Sequence, residues 1–198
     1  MLVFVTGPRG AGKTTFAGLL LRSLTADAPV CRSFERSLAF LSRRLPDDTG
    51  YDLEILQTPP PHDSAAGGLI VSRGLPLARR RDAAPDWTGD ALGPWVFSGA
   101  AFRLAETRFE EAFVNLTKEG LFILDEVGPL ELKLGRGYSQ ILSRLPGLHR
   151  GVVVVRPGLL SALAGRVGAT TVIEVEPGAV DDGPELQRLL RRAGEALS

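Results

Sequence analysis

Two groups of residues in this chain have the types and spacing to do chemistry. The first is Gly7-Pro8-Arg9-Gly10-Ala11-Gly12-Lys13-Thr14-Thr15, where a glycine, four free positions, a second glycine, a lysine and a threonine follow in the order of a phosphate-binding loop. Glycines let the backbone curl until several N–H groups point at one anion, and a helix opening at the lysine adds the positive end of its dipole. On that pattern Gly7, Pro8, Arg9, Gly10, Ala11, Gly12, Lys13, Thr14 and Thr15 cradle a nucleotide's phosphates. Lys13 reaches the β- and γ-phosphates as a catalytic cation, and the Thr14 hydroxyl is a ligand for Mg²⁺. The second group is Asp125-Glu126, two adjacent carboxylates that end the apolar run Leu121-Phe122-Ile123-Leu124. In nucleotide-hydrolysing proteins with such a loop, an acidic residue at a strand end fixes Mg²⁺, usually through a water, and its neighbour orients or deprotonates the attacking water. Asp125 is therefore assigned to the metal and Glu126 to the water.

Those side chains need particular elements beneath them. Leu2-Val3-Phe4-Val5 has the length and composition of a parallel strand buried on both faces, and Phe16, Leu19, Leu20 and Leu24 recur at helical spacing after the loop. Strand, loop and helix thus come in the required order. Gly151 to Val155 reads as another buried strand, with Arg156-Pro157 opening a helix at its end. Ligands bind at the C-terminal edge of open α/β sheets. Arg156 is accordingly the first candidate for an arginine that senses the γ-phosphate, with Arg9 second.

The rest of the chain supplies scaffold. Ser98 reads as a helix cap before an amphipathic helix with Phe102, Ala105, Phe109, Phe113 and Leu116 on one face, ended by Gly120. Tyr138, Ile141, Leu142 and Leu145 suggest a helix, Thr171 to Val175 a last strand, and Leu186, Leu189, Leu190, Ala193 and Leu197 a closing helix. A second strand is expected at Pro29 to Phe34 and a half-buried one at Tyr51 to Leu56. Arg32, Glu35, Arg36, Arg43 and Arg44 read as a solvated, charge-rich region. From Gln57 the prolines at 59–61 and the stretch Ser64-Ala65-Ala66-Gly67-Gly68 read as an exposed loop, with a short strand at Leu69 to Val71. Arg79-Arg80-Arg81 reads as solvated or as a polyphosphate clamp, and Trp87 and Trp95 as side chains buried under a loop or stacked on a base.

Composition excludes several classes. With 198 residues, 44% of them hydrophobic, the chain can bury one substantial core, and one domain over 1–198 is expected, with an irregular insertion around 57–92. Its formal net charge is zero, so it lacks the broad positive field of a non-specific nucleic-acid binder. The single cysteine, Cys31, excludes an intramolecular disulfide framework and suits a reducing compartment. His62 and His149 are isolated, which leaves no zinc-ligand spacing. The N-terminal apolar run is too short for a signal-peptide core and no stretch approaches a membrane span, so a cytoplasmic protein without a membrane partner is expected.

Two stretches together, Thr6 to Thr15 and Leu124-Asp125-Glu126-Val127-Gly128-Pro129-Leu130-Glu131-Leu132, resemble the nucleoside-triphosphatase family first recognised in thermophiles, whose human member is called cancer-related nucleoside-triphosphatase. The second stretch is close to that family's Asp-Glu-Ile/Val-Gly-x-Leu/Met-Glu-Leu signature. Weaker similarity covers Gly50 to Leu53, the passage from Trp95 to Phe113 and the order of the last two strands. The resemblance implies an α/β fold: a RecA-like P-loop NTPase core, a mostly parallel sheet flanked by helices, with an irregular or β-hairpin insertion. It also implies slow, Mg²⁺-dependent hydrolysis of several nucleoside triphosphates, ATP and GTP among the candidates, to diphosphates. Gly7, Gly12, Lys13, Thr14, Thr15, Asp125 and Glu126 match the family's nucleotide and magnesium machinery. Two departures stand out. Residues 57 to 92 are longer than the family pattern, and Glu176-Pro177-Gly178 replaces a Thr…Glu-Asn-Arg element after the last strand.

Three functions fit these residues. The first is hydrolysis, with water oriented by Glu126. The second is a small-molecule or nucleotide kinase, with Arg79 to Arg81 on a closing lid. The third is a nucleotide-dependent switch or adaptor. The preferred base, the physiological substrate, the source of an arginine finger, any protein partner and the oligomeric state stay open at this level.

Overall fold

The computed structural model describes residues 1–26, 36–59, 69–118, 120–168 and 171–198. In chain order these form β1 (Leu2–Thr6), α1 (Lys13–Ala26), β2 (Ser37–Arg44), β3 (Gly50–Gln57), β4 (Ile70–Arg80), β5 (Asp90–Leu92), β6 (Trp95–Phe97) and α2 (Gly99–Lys118). Then follow β7 (Leu121–Val127), α3 (Pro129–Leu132), α4 (Ser139–Arg144), β8 (Arg150–Val155), α5 (Leu160–Val167), β9 (Thr171–Glu174) and α6 (Gly183–Leu197). The strands make one sheet in the order β5-β6-β4-β3-β2-β7-β8-β1-β9.

That sheet is mixed rather than mostly parallel. Strands β2, β7, β8, β1 and β9 run parallel to their neighbours, whereas β2/β3, β3/β4, β4/β6 and β6/β5 pair antiparallel. The parallel half needs helical crossovers and is covered on both faces. On one face α1 and α6 bury Phe16, Leu20, Leu21, Leu189, Ala193 and Leu197 against Val3, Val5, Leu41, Ile123 and Val154. On the other, Phe102, Phe109, Leu116, Ile141 and Leu163 pack on Phe4, Phe40, Phe122, Leu124 and Val153. This double coverage explains why Leu121 to Leu124 is wholly apolar.

The antiparallel half departs from the sequence expectation. The span 57–92 is not one irregular insertion: Leu75-Pro76-Leu77-Ala78, Arg79 and Arg80 lie inside β4, an eleven-residue strand. Gly74 and Pro76 are tolerated because β4 bulges there, with register shifts against β3. Arg43 and Arg44, read as solvated, end β2, a strand the sequence reading missed. The expected strand at Pro29 to Phe34, Cys31, His62 and the loop over 60–68 fall outside the described residues. Tyr51 to Leu56 does form a strand, with Leu53 and Ile55 buried on one face and Glu54 and Leu56 buried on the other. Ser98 caps α2 through Ala101 N–H at 3.2 Å, and the stripe Phe102, Ala105, Phe109 and Leu116 is buried as expected. Gly120 lies where a Cβ would strike the Arg36 carbonyl oxygen, so the turn into β7 requires a glycine. Among the described residues, no helix is long and apolar enough to cross a membrane.

Candidate active site

Strand β1 ends at Thr6, and the chain then curls through Gly7, Gly10 and Gly12 with φ of +146°, +82° and +86° before α1 begins at Lys13. These are angles that a side chain opposes. Two of the glycines are also needed for space. A Cβ on Gly7 would collide with the Val175 carbonyl oxygen, and one on Gly12 with the Val180 side chain. The segment after β9 therefore braces the loop from behind. The Lys13 ammonium folds over the loop, donating to the Gly7 carbonyl at 2.9 Å and the Pro8 carbonyl at 2.7 Å. Burial pushes its pKa below the usual lysine value, against the pull of Asp125 and Glu126. Pro8, Arg9, Gly10 and Thr15 are exposed at the loop mouth.

The register of the parallel strands brings the second group to the same edge. Leu124 pairs with Val153 of β8 and with Phe40 of β2, while β8 itself pairs with β1. Asp125, 1% exposed, meets the first turn of α1: its Oδ2 accepts from the Thr14 hydroxyl at 2.8 Å and from Ser42 N–H at 3.0 Å. Its Oδ1 is buried and takes no hydrogen bond. Burial, and next the charge of Glu126, push the Asp125 carboxyl up to about 7. A hydroxyl on one carboxylate oxygen and an unpartnered second oxygen form a hard donor set that fits Mg²⁺, a cation bound by few protein oxygens together with water and substrate phosphate. Among the described residues no group of three or more His, Cys, Asp or Glu is placed to hold a metal ion.

Glu126 stands in β7 at φ +63°, where the pairing with β8 shifts register, a left-handed conformation that costs a non-glycine residue about 1–2 kcal/mol. Its Oε1 accepts from Arg156 Nη2 at 3.0 Å. Arg156 stands at the end of β8 as expected, capping a short 3₁₀ turn (Pro157–Leu159) that precedes α5. The two sequence candidates for water and γ-phosphate are thus in contact with each other. Arg9 is exposed and makes no ion pair with a described residue.

Sequence reasoning missed the support under this pair. Glu131, 3% exposed, folds back to accept from Gly128 N–H at 2.9 Å and Tyr138 N–H at 3.4 Å. A Cβ on Gly137 would strike its carboxylate. Burial pushes its carboxyl up to about 7. The signal was legible in Gly128-Pro129-Leu130-Glu131, a capping-box spacing with proline at the first helical position. Ser42 was missed because β2 was. Arg79 is committed to Asp52 and the Tyr51 carbonyl and stacks over Trp87 at 5.4 Å, Arg80 pairs with Asp82, and Trp95 packs on Tyr51.

No protein-family model and no curated protein matches the chain. Among solved structures it superposes on THEP1 from the hyperthermophile Aquifex aeolicus, with a TM-score of 0.61 and 20% identity over 98% of this chain and 99% of that one. It also superposes on the solution structure of a human cancer-related nucleoside triphosphatase, with a TM-score of 0.58 and 18% identity over 99% of this chain and 96% of the other. At these identities the likeness is one of fold, and over nearly its whole length this chain has the α/β fold that THEP1 and the human nucleoside triphosphatase share.

Proposed function

We propose that the chain is a nucleoside-triphosphate phosphatase that hydrolyses its substrate, with Mg²⁺, to a diphosphate and orthophosphate on a RecA-like P-loop core. The observation that carries this reading is the 2.8 Å bond between Thr14 and Asp125, residues 111 positions apart. It joins the helical end of the proposed phosphate loop to a buried strand-end carboxylate. The human structure with the same fold is a nucleoside triphosphatase, which supports the same reaction class.

In this reading the backbone N–H groups of residues 9 to 15 cradle the phosphates, Pro8 having none, and Lys13 exchanges its carbonyl partners for the β- and γ-phosphate oxygens. Thr14 and Asp125 would hold Mg²⁺, which when bound neutralises charge on those oxygens. Glu126 orients a water opposite the bridging oxygen and takes its proton. The water oxygen bonds to the γ-phosphorus as the bridging P–O bond breaks, and the electron pair leaves on the diphosphate. Arg156, side chain 60% exposed, can swing from Glu126 to the γ-phosphate and stabilise the charge that develops there. A chain whose arginine must be borrowed from an ion pair turns over slowly unless a partner supplies one, since such a finger is worth about 10³-fold or more.

The test is phosphate release from each purified nucleoside triphosphate with and without Mg²⁺. Glu126→Gln is expected to keep Mg²⁺-nucleotide affinity and lose turnover by about 10²-fold or more. Unchanged turnover in that variant removes Glu126 from the chemistry.

A further inference from the structure

A cleft of about 350 Å³, lined by Arg43, Asp52, Leu53, Glu54, Arg73 and Gly74, is left unused by the reaction above. Glu54 stands in it, 3% exposed. Each of its carboxylate oxygens accepts one hydrogen bond, from Arg43 Nε at 2.6 Å and from Arg73 Nε at 2.6 Å. Burial works to raise the Glu54 pKa, yet the two arginines more than reverse it and hold the carboxyl below its usual value. Because both guanidiniums are gripped at Nε, the Nη ends of both forks donate to no described residue. A buried carboxylate that orients two cations and leaves their terminal donors open is the reverse of a closed ion pair.

The backbone is shaped for this. Leu53 pairs with Leu75 and Ile55 with Ser72, so Arg73 and Gly74 together stand opposite Glu54 in a bulge, with Gly74 at φ +76°. Bulges beside functional sites re-aim side chains, and this one turns Arg73 onto Glu54. The remaining acid in the cleft, Asp52, is already bonded to Arg79 Nη2 at 2.6 Å. Arg43, Arg73 and Arg79 therefore outnumber Glu54 and Asp52 by one positive charge. The cleft adjoins the candidate active site, since Ser42, next to Arg43, donates its N–H to Asp125.

We propose that Arg43 and Arg73, braced by Glu54, form a second oxyanion subsite, separate from the phosphate loop, that takes a tetrahedral phosphate group. The group is either free orthophosphate or the phosphate of an organic monoester. Planar arginine forks recognise phosphate oxygens in pairs. The phosphate-binding assignment concerns binding with no turnover, and only the identification of its ligand as a released product rests on the proposed hydrolysis.

The experiment is calorimetric titration of the full chain with inorganic phosphate, the phosphate loop being filled beforehand with Mg²⁺ and a nucleoside diphosphate. One saturable site is expected. Arg73→Ala removes a side chain that is 70% exposed, so the fold is retained; phosphate affinity is expected to fall about tenfold or more with nucleoside diphosphate affinity unchanged. Arg73→Lys, which keeps the charge and loses the fork, is expected to fall between the two. Phosphate binding that is absent, or that Arg73→Ala and Arg43→Ala both leave unaltered, overturns the proposal. Titration with a nucleoside monophosphate separates the two sources. Equal or weaker affinity than orthophosphate assigns the subsite to the released product, and tenfold tighter affinity assigns it to an organic monoester.

Discussion

Replacing Asp125 by Asn is expected to make the metal-free protein more stable while removing its activity. The Asp125 carboxyl ordinarily ionises near 3.8 and is held at about 7 in the fold, by burial first and by the Glu126 charge second. Each tenfold of that displacement is worth roughly 1.4 kcal/mol, so the ionised form costs the folded state about 4 kcal/mol. The pH dependence follows from the direction of the shift. Near pH 3 and below, the folded chain and most of the unfolded population carry the proton and Asp125 contributes little. As pH rises toward 7 the unfolded chain sheds a proton that the folded chain keeps, so stability falls, and above about pH 7 the loss is complete. Asn has no charge to bury at any pH and can still accept from Thr14 and Ser42. Chemical denaturation with a chelator present is therefore expected to show Asp125→Asn ahead by about 4 kcal/mol at pH 8, narrowing to under about 1 kcal/mol near pH 4. At roughly 2–4 °C per kcal/mol for a chain of this size, the melting temperature at pH 8 rises on the order of 10 °C. Added Mg²⁺-nucleotide is expected to stabilise the wild type and not the variant, and phosphate release by the variant to fall about 10²-fold or more. A variant that melts at or below the wild type at pH 8, with a gap independent of pH, refutes the burial argument for Asp125.

Three further outcomes follow from the same geometry. Arg156→Ala breaks an ion pair whose members are 60% and 34% exposed, so unfolding free energy is expected to change by under about 1 kcal/mol, while single-turnover phosphate release slows by up to about 10³-fold; equal rates would remove Arg156 from the reaction. Glu126→Gly relieves a left-handed residue worth about 1–2 kcal/mol against a glycine entropy cost of about 0.5–1 kcal/mol, so thermal unfolding is expected to hold or rise slightly as turnover is lost. A marked drop in melting temperature would show that Glu126 holds the fold instead. Glu131→Ala strands the N–H groups of Gly128 and Tyr138, at about 1–3 kcal/mol each, and hydrogen exchange at those amides is expected to speed up together with a loss of turnover; unchanged protection at both would make the fold-back bond unimportant.

The site was legible because its two halves are encoded locally. Gly7 to Thr15 must satisfy a backbone shape and Asp125-Glu126 must end a buried strand, and each leaves a contiguous mark. Helix α2 was legible for the same reason, since cap, stripe and terminating glycine fall in one window. Strand β2 was not. Its apolar run is closed by Arg43 and Arg44, and Glu54, the partner of Arg43, is a neighbour only after β3 folds back. Strand β4 carries Gly74, Pro76 and the arginines at 79 and 80, which read as breakers because the bulges that admit them are a property of pairing with β3. The mixed character of the sheet follows from those two strands and was hidden with them. Glu126's backbone angle leaves no trace in composition at all.

The brace behind residues 7–12 also sets an order of events during synthesis. Gly7 and Gly12 rest on Val175 and Val180, and β1 is flanked by β8 and β9, all of which leave the ribosome long after the loop does. A nascent chain that exposes its glycine-rich turn therefore has no backing to hold that turn in shape. The turn takes its shape only once those distant segments have docked, so on the proposed function a half-made copy would not hold a triphosphate.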